Sequence, residues 1–203
     1  MSEHSEQAKN KESKIRLNPC LIIISGPPLM GKDTIAIGLA TKTNLLHLDV
    51  DTIRSEFDET RKTDLTSLLP PNQELEIMVH SYQILCERAK KQIVTLGHPV
   101  VLTGTFSKPE FQAPLLLLQE QLEQKGISVR IFQLNTPNED ITKRIEQRQR
   151  EGSKSNIDTV EKFKWAKGFY TPLEGAIVVE NVNGQAEVAV IRIIENLQDI
   201  QIV

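Results

Sequence analysis

Five short apolar segments, separated by stretches of helical periodicity, constrain the fold of this chain most strongly. Each segment is rich in Val, Ile and Leu with little alternation, which is typical of parallel strands covered on both faces. Between them, apolar residues recur at spacings of three and four, as over about 73 to 96. This order predicts an α/β protein with a doubly wound, about five-stranded parallel sheet. The predicted strands are 20–25, 45–50, 99–105, 128–134 and 176–181.

Length and composition indicate a single domain. The chain has 203 residues, 39% hydrophobic and 25% charged, with a net charge of −3. Residues 1–14 are polar and predict a disordered tail, which leaves 15–203 as the domain. No apolar run approaches the ~18 residues of a membrane span, and no signal-peptide pattern is present, so we expect a cytoplasmic protein without a membrane partner. The acidic total disfavours a nucleic-acid partner, although a local basic patch would permit one. The oligomeric state cannot be read from the sequence.

The segment GPPLMGKDT, residues 26–34, directly follows the first predicted strand and matches the phosphate-loop pattern G-x-x-x-x-G-K. The pattern predicts that backbone N–H groups of residues 27–32 surround the β-phosphate at the positive end of the next helix. Lys32 is expected to bridge the β- and γ-phosphates. The alternative is a turn that happens to carry two glycines and a lysine. The residues expected to bind the nucleotide are Gly26, Pro27, Pro28, Leu29, Met30, Gly31, Lys32, Asp33 and Thr34.

Asp33 stands where a Ser or Thr hydroxyl usually binds Mg²⁺. Thr34 is retained, and G-K-x-T is similar to the G-K-G-T of adenylate-kinase-type loops, which also lack that hydroxyl. This similarity implies that Thr34 reaches the α-phosphate. A carboxylate about 4 Å from the phosphates would be repelled by roughly 1 to 4 kcal/mol, depending on the dielectric. We therefore expect Asp33 to face metal or solvent, and we assign Asp33 and Thr34 to the metal side of an ATP–Mg²⁺ site.

Two carboxylates, Asp49 and Asp51, end the second predicted strand, and Arg54 follows. The carboxyl ends of parallel strands face the ligand crevice, so both carboxylates are expected in the site. A carboxylate near the γ-phosphate can accept the proton of an attacking hydroxyl, and an arginine one turn later can hold the acceptor. The alternative is that Asp51 only caps a short helix while Arg54 is solvated.

A basic helix is predicted after the fourth strand. Arg144 and Arg148 lie on one face of it at i, i+4, and a Gly/Ser/Asn-rich turn follows, so a small helical lid is predicted over about 148–160. A lid arginine that closes on the γ-phosphate can stabilise phosphoryl transfer by several kcal/mol, as oxyanion donors do. A solvated basic face is the alternative.

Together, the phosphate loop, the D-x-x-R of Asp51 and Arg54, and the R-x-x-x-R of Arg144 and Arg148 resemble one group of P-loop kinases. This group includes phage polynucleotide kinase, zeta toxin, gluconate kinase and chloramphenicol phosphotransferase, and the similarity covers about 20–170. It implies a P-loop containing nucleoside triphosphate hydrolase (kinase-like) fold. It also implies that Asp51 activates the acceptor hydroxyl, with Asp49 as the second candidate, that Arg54 helps hold the acceptor, and that the two later arginines act from the lid.

One position departs from that resemblance. The family commonly carries an aspartate at the site of Gly104 in the third strand, where it holds the magnesium shell or the acceptor. Because the third strand should lie between the first and the second, we hypothesise that Asp33 replaces this acid.

The resulting prediction is an ATP- and Mg²⁺-dependent phosphotransferase that moves the γ-phosphoryl group to a hydroxyl of a small molecule or nucleotide. One alternative is a 5′-hydroxyl polynucleotide kinase, which requires a basic strip beyond the lid. The other is a non-catalytic ATP-binding protein with a degenerate site. His47 has no partner at metal-ligand spacing, and Trp165, Phe169 and Tyr170 are expected to pack rather than stack on a base.

Overall fold

The computed structural model describes residues 14–62, 71–152 and 157–201, and the side chains of 57–62 and 71–74 lie outside that description. The predicted tail is therefore outside it except for Lys14, and so are residues 153–156 of the predicted lid. Within the described ranges, every helix is too short or too polar to cross a membrane.

One parallel sheet organises the fold. Its strands are β1 Cys20–Ser25, β2 Leu46–Asp49, β3 Val100–Thr103, β4 Ser128–Asn135 and β5 Ile177–Glu180. They pair in the order β2-β3-β1-β4-β5, which confirms the predicted doubly wound sheet and the place of β3 between β1 and β2. The register pairs Thr103 with Ile24 on one side and with Asp49 on the other. The carboxyl ends of these three strands therefore meet at one edge, where open α/β sheets bind ligands.

Helices connect the strands and cover both faces of the sheet. They are α1 Lys32–Lys42, α2 Val50–Lys62, α3 Pro71–Lys90, α4 Pro109–Glu123, α5 Asn138–Arg150, α6 Val160–Gly168 and α7 Ala186–Glu195. The helix predicted over about 73 to 96 is α3 continued by a π-helical turn, Lys91–Thr95. A 3-10 turn, Gln198–Ile200, follows α7.

Strand β1 lies at the centre of the core because its residues are buried on both faces. Ile22 and Ile24 belong to a cluster with residues of α1, α5 and α7. Leu21 and Ile23 belong to a second cluster, with residues of α2, α3 and α4. Burying an aliphatic side chain of this size stabilises a fold by roughly 1.5 to 3 kcal/mol. This strand therefore gives the loop that follows it a fixed base.

Candidate functional site

The phosphate loop, residues 26–34, has a strained backbone between β1 and α1. Gly31 has φ 80° just before α1, and Leu29, at φ 66°, is left-handed without being glycine. Such a conformation costs a non-glycine residue roughly 1 to 2 kcal/mol, so neighbouring groups must hold it. A Cβ at Gly31 would lie 2.6 Å from Asn181 Nδ2, which explains why glycine occupies this position.

The sequence expectation for the loop N–H groups needs a correction. Pro27 and Pro28 have no backbone N–H, so the expectation of donors across 27–32 is wrong for these two, and donors begin at Leu29. The side chains of Leu29 and Met30 are 8% and 1% exposed and pack in the cluster under α1. Most of their bulk therefore lies in the core rather than in the phosphate cradle.

Lys32 folds over the loop that precedes it. Its Nζ donates hydrogen bonds to Gly26 O at 3.0 Å and to Pro27 O at 2.9 Å. Burial lowers the pKa of Lys32 to about 8, while the carboxylates of Asp33 and Asp51 act in the opposite direction. Burial destabilises this ammonium, and the negative charge of a bound polyphosphate would stabilise it. Lys32 is therefore suited to contact a polyphosphate at this loop.

Two side chains from outside the loop hold its carbonyl groups. Arg144 of α5 donates from Nη1 to Leu29 O at 2.8 Å, and Asn181, just after β5, donates from Nδ2 to Met30 O at 2.7 Å. Arg144 Nη2 also donates to Asn181 O at 3.4 Å. Arg144, expected to act from the lid, is thus bonded to the loop itself. Sequence reasoning missed Asn181 because it stands at the end of the predicted strand 176–181, outside every motif.

Asn181 is buried, with 2% exposure, and its Oδ1 has no hydrogen-bond partner in the described part of the chain. An unsatisfied buried acceptor costs about 1 to 3 kcal/mol, which an apolar residue would avoid. The hydrogen bond from Asn181 Nδ2 to Met30 O therefore explains why an amide side chain, rather than an apolar one, occupies this position. The following turn is held as well, because Asn183 N donates to Asp140 Oδ2 at 2.9 Å.

A cavity of about 310 Å³ opens between the phosphate loop, α5 and the turn after β5. We call it the first cavity. Its wall includes Gly31, Thr34, Arg144, Arg148 and Asn181. It lies beside the amino end of α1, where the helix dipole favours negative charge.

A second cavity, of about 460 Å³, lies on the other side of the loop, above the ends of β2 and β3. Leu29 and Arg148 line both cavities. The two spaces therefore meet at the phosphate loop, with Arg148 between them. The second cavity brings together six of the residues singled out from the sequence: Lys32, Asp33, Asp49, Asp51, Arg54 and Arg148.

The two carboxylates after β2 have different environments. Asp49 caps α2, since its side chain accepts from Thr52 N at 2.9 Å and from Asp51 N at 3.2 Å. The alternative in which Asp51 is the cap is therefore wrong. Asp51 instead accepts from Arg54 Nη1 at 3.0 Å, and its side chain, which is 73% exposed, lies in the wall of the second cavity. Desolvation by the surrounding protein raises the pKa of Asp51, although the positive charge of Arg54 lowers it.

His47 joins this group although its spacing in the sequence gave no indication of it. Its Nε2 lies 2.9 Å from Thr103 Oγ1 and 4.0 Å from Asp33 Oδ1, and Thr103 Oγ1 donates to Asp49 Oδ1 at 3.4 Å. Burial lowers the pKa of His47, which favours the neutral ring, while Asp33 and Asp49 act in the opposite direction. The strand periodicity could have indicated this position, because alternate residues of a strand point to the same face, and His47 and Asp49 are two residues apart in β2. Among the described residues, no group of three or more His, Cys, Asp or Glu is arranged to hold a metal ion.

Residues 21–173 match the family described as AAA domain. The chain belongs to this family. No curated protein matches the sequence.

The AAA-domain protein is also similar in fold to solved kinase structures. A sugar kinase from Janibacter sp. HTCC2649 has 20% identity and a TM-score of 0.60, over 89% of this chain and 95% of that one. A gluconokinase from Sinorhizobium meliloti 1021 has 15% identity and a TM-score of 0.57, over 88% and 95%. The Mycobacterium tuberculosis APS kinase, in complex with AMPPNP and APS, has 17% identity and a TM-score of 0.57, over 90% and 99%. The expected P-loop kinase-like fold is confirmed.

The structure gives a reason for the glycine at position 104 of this AAA-domain protein. A Cβ there would lie 3.0 Å from the ring of Phe106 and 3.1 Å from that of Tyr82. Both rings are buried, and Tyr82 also stacks on Phe111 with centroids 4.9 Å apart. Any side chain at this position would require these buried rings to shift. The packing around position 104 therefore disfavours the acid expected from the family pattern.

The aromatic residues after the lid do not all pack as expected. Trp165 and Phe169 of the AAA-domain protein are 69% and 57% exposed, and their rings meet edge to face with centroids 4.8 Å apart. The expectation of packing is wrong for these two. Tyr170 is half-buried and its hydroxyl donates to Ser25 Oγ at 3.3 Å, which ties the chain after α6 to the base of the phosphate loop.

Proposed function

We propose that this protein is an ATP-dependent phosphotransferase, which moves the γ-phosphoryl group of ATP to a hydroxyl of a small molecule or nucleotide. The observation that supports this best is the junction of the two cavities, with Arg148 and Leu29 in both walls. A protein that only binds a nucleotide needs one cavity. Transfer needs a donor site and an acceptor site that meet where the terminal phosphate lies.

In this proposal the first cavity takes the nucleotide. Backbone N–H groups from Leu29 onward and the amino end of α1 bind the phosphates, and the ammonium of Lys32 neutralises the β- and γ-phosphates. Thr34, in the wall of the first cavity, is suited to the α-phosphate. Among the solved relatives in fold, the APS kinase is described in complex with the ATP analogue AMPPNP.

The second cavity takes the acceptor. Asp51 accepts the proton of the attacking hydroxyl, which a raised pKa favours because the carboxylate becomes a stronger base. Arg54 holds the acceptor, because its guanidinium lies in the wall of the second cavity beside Asp51. Arg148, at the junction, stabilises charge on the transferring group.

Asp33 fits a magnesium ion that arrives with the nucleotide. Magnesium in phosphoryl-transfer sites takes hard oxygen ligands, usually one or two carboxylates together with substrate phosphates. The Asp33 carboxylate is 61% exposed beside Lys32 and in the wall of the second cavity, so it can serve as such a ligand directly or through water. Bound magnesium would neutralise phosphate charge, and the repulsion of Asp33 by the phosphates would then be offset.

The substitution Lys32→Ala tests the proposal at its base. Calorimetry should show a large loss of Mg-ATP affinity, and transfer to an acceptor should cease, because the cation between the phosphates is gone. Acceptors are sought by incubating the protein with γ-labelled ATP and a panel of nucleotides, sugars and antibiotics. Unchanged Mg-ATP affinity in folded Lys32→Ala protein would contradict the proposal.

One feature favours a 5′-hydroxyl polynucleotide kinase as a second candidate. Helix α6 carries three lysines, Lys162, Lys164 and Lys167, beside the exposed pair Trp165 and Phe169. Aromatic rings among cations are typical of single-strand binding, because bases stack on them. Trp165 is the only tryptophan of the chain, so its fluorescence reports directly on such binding. Quenching by a single-stranded oligonucleotide that weakens with salt, together with labelling of its 5′ end, would establish this candidate; unchanged fluorescence would reject it.

The non-catalytic candidate rests on Gly104. This position carries no acid, and the packing around it disfavours one; the loss of a catalytic carboxylate is what a degenerate site would show. This candidate predicts Mg-ATP binding with neither acceptor labelling nor ATP hydrolysis. Any acceptor-dependent release of ADP that requires Asp51 would exclude it.

A further inference from the structure

The carbonyl groups of the phosphate loop show which residues orient it. Leu29 O accepts from Arg144 Nη1 at 2.8 Å, and Met30 O accepts from Asn181 Nδ2 at 2.7 Å. In a planar trans peptide, the carbonyl of one residue and the N–H of the next point in opposite directions. Holding Leu29 O therefore aims the N–H of Met30, and holding Met30 O aims the N–H of Gly31.

This loop depends on such contacts more than the motif alone suggests. Pro27 and Pro28 remove two donors from its first half. The remaining donors begin at Leu29, whose left-handed backbone at φ 66° is unfavourable for a residue with a Cβ. Without outside support, relaxation of Leu29 would turn the next peptide and misalign its N–H.

We propose that Arg144 and Asn181 are positioning residues, which aim the N–H groups of Met30 and Gly31 at the polyphosphate. This inference rests on the proposed function to the extent that the loop binds phosphate. It assigns Arg144 to the loop and leaves Arg148, one turn later on the same face of α5, as the arginine at the junction of the cavities. It also gives Asn181 a role on the donor side.

The surroundings of both side chains support a fixed arrangement. Arg144 is half-buried, and burial lowers the pKa of its guanidinium. Its second nitrogen donates to Asn181 O at 3.4 Å, so one guanidinium joins the loop to the turn after β5. Asp140 holds the same turn through Asn183 N. Two segments far apart in sequence are thus fastened to α5 before any ligand enters.

Both residues also line the first cavity, so a direct contact with the base of the nucleotide is the competing explanation. Two probes separate the explanations: Mg-ATP, and Mg-tripolyphosphate, which has no base. Binding of each is measured by calorimetry on the full chain. The variants are Asn181→Asp, which keeps the shape but removes the donor to Met30, and Arg144→Lys. The lysine keeps the charge but replaces the two separate nitrogens that reach Leu29 O and Asn181 O by a single ammonium on a shorter side chain.

We expect each variant to weaken both probes by about 10-fold, the scale of one lost hydrogen bond in a preorganised site. In an assay with an acceptor, KM for ATP should rise by a similar factor while kcat changes less. The charge control is Asn183→Asp, which adds the same charge to the wall of the same cavity. This substitution keeps the contact with α5, because the backbone N–H of residue 183 makes the hydrogen bond to Asp140. Its effect on tripolyphosphate should be clearly smaller than that of Asn181→Asp.

Weakened Mg-ATP with unchanged tripolyphosphate would overturn the inference, because it would make these residues base contacts. Unchanged binding of both probes in folded variants would overturn it as well, while leaving the proposed function intact. If wild-type protein binds neither probe, the proposed function itself fails. Thermal unfolding identifies a variant that does not fold; should Asn181→Asp be unstable, Arg144→Lys, which preserves charge, decides alone.

Discussion

The two cavities on either side of the phosphate loop are built differently. Around the first, buried side chains from α5 and from the turn after β5 hold the loop backbone, as in the contact of Asn181 with Met30. Around the second, the candidate acceptor carboxylate pairs with a side chain: Asp51 contacts Arg54, and the two side chains are 73% and 32% exposed. Exposed ion pairs contribute little to stability, typically about 0 to 1 kcal/mol. The proposed donor side is therefore held by backbone contacts before binding, whereas the proposed acceptor side can exchange its internal contacts for contacts with a substrate.

Such a difference suits a phosphotransferase, because ATP is the phosphate donor in all of these enzymes whereas the acceptor differs from one enzyme to the next. The polyphosphate is the same in every such protein, so a fixed cradle reduces the cost of ordering on binding. The acceptor carboxylate must change partners during the reaction, and a deeply buried ion pair would resist that change. Substitutions on the two sides should accordingly fail in different ways.

The largest effect is expected at Asp51. Asp51→Asn should lower turnover by roughly 10²- to 10⁴-fold, because only transfer needs a general base, and calorimetry should show nearly unchanged Mg-ATP binding. Loss of Mg-ATP affinity in this variant would contradict the separation of the two sides.

The pH profile sharpens the same point. Asp51 is active when deprotonated, so activity should fall as the pH drops through its pKa, which desolvation raises above the ordinary 3.8. Arg54 lowers that pKa, so Arg54→Ala should move the acidic limb of kcat to higher pH. A limb that does not move would remove Asp51 from this role.

Arg148 should show the next largest effect, because it lies where the cavities meet. Arg148→Ala should reduce kcat by on the order of 10²-fold with a modest change in Mg-ATP affinity. The matched control is Arg150→Ala on the same helix, a residue that is 76% exposed and paired with Glu146. Equal losses in both variants would indicate a general field of the basic helix rather than a specific contact.

Asp33 should affect metal dependence more than chemistry. Asp33→Asn should raise the Mg²⁺ concentration needed for half-maximal activity, by about 10-fold if one ligand is lost, and it should strengthen binding of ATP without metal, because a repulsive charge is gone. Activity measured against Mg²⁺ at fixed ATP tests this. An unchanged Mg²⁺ requirement would show that Asp33 faces solvent only.

The smallest effect concerns stability on the acceptor side. Gly104→Ala should lower the free energy of unfolding by about 1 to 3 kcal/mol, because the new methyl group meets the buried rings of Phe106 and Tyr82 at 3.0 to 3.1 Å. Gly168→Ala in α6 is the control: a Cβ there meets nothing within 4 Å, so it should be neutral or stabilising by up to about 1 kcal/mol. Urea denaturation measures both. An unaffected Gly104→Ala protein would mean that the rings can shift, and that packing does not disfavour an acid at this position.

Much of the architecture was predictable because it depends on neighbours in sequence. The apolar runs indicated the strands, since burial on both faces leaves near-continuous Val, Ile and Leu. The place of β3 between β1 and β2 was implied by the resemblance to P-loop kinases. The loop at 26–34 was recognised because its glycines and lysine are adjacent and lie between a strand and a helix. Asp49 and Asp51 were located at the right edge of the sheet for the same reason, although only the structure showed that Asp49 is the cap.

By itself, the sequence determined the α/β fold, the phosphate loop and the set of charged residues around it, because each follows from local periodicity or spacing. Only the tertiary structure decided how they are used. Arg144 contacts a carbonyl 115 positions away and Asn181 one 151 positions away, and a ring from α3 occupies the space beside Gly104. The place of His47 beside Asp33 and Thr103 was decided in the same way. Such contacts arise when separate elements pack, and the free energy that selects them comes from the whole core rather than from any short segment.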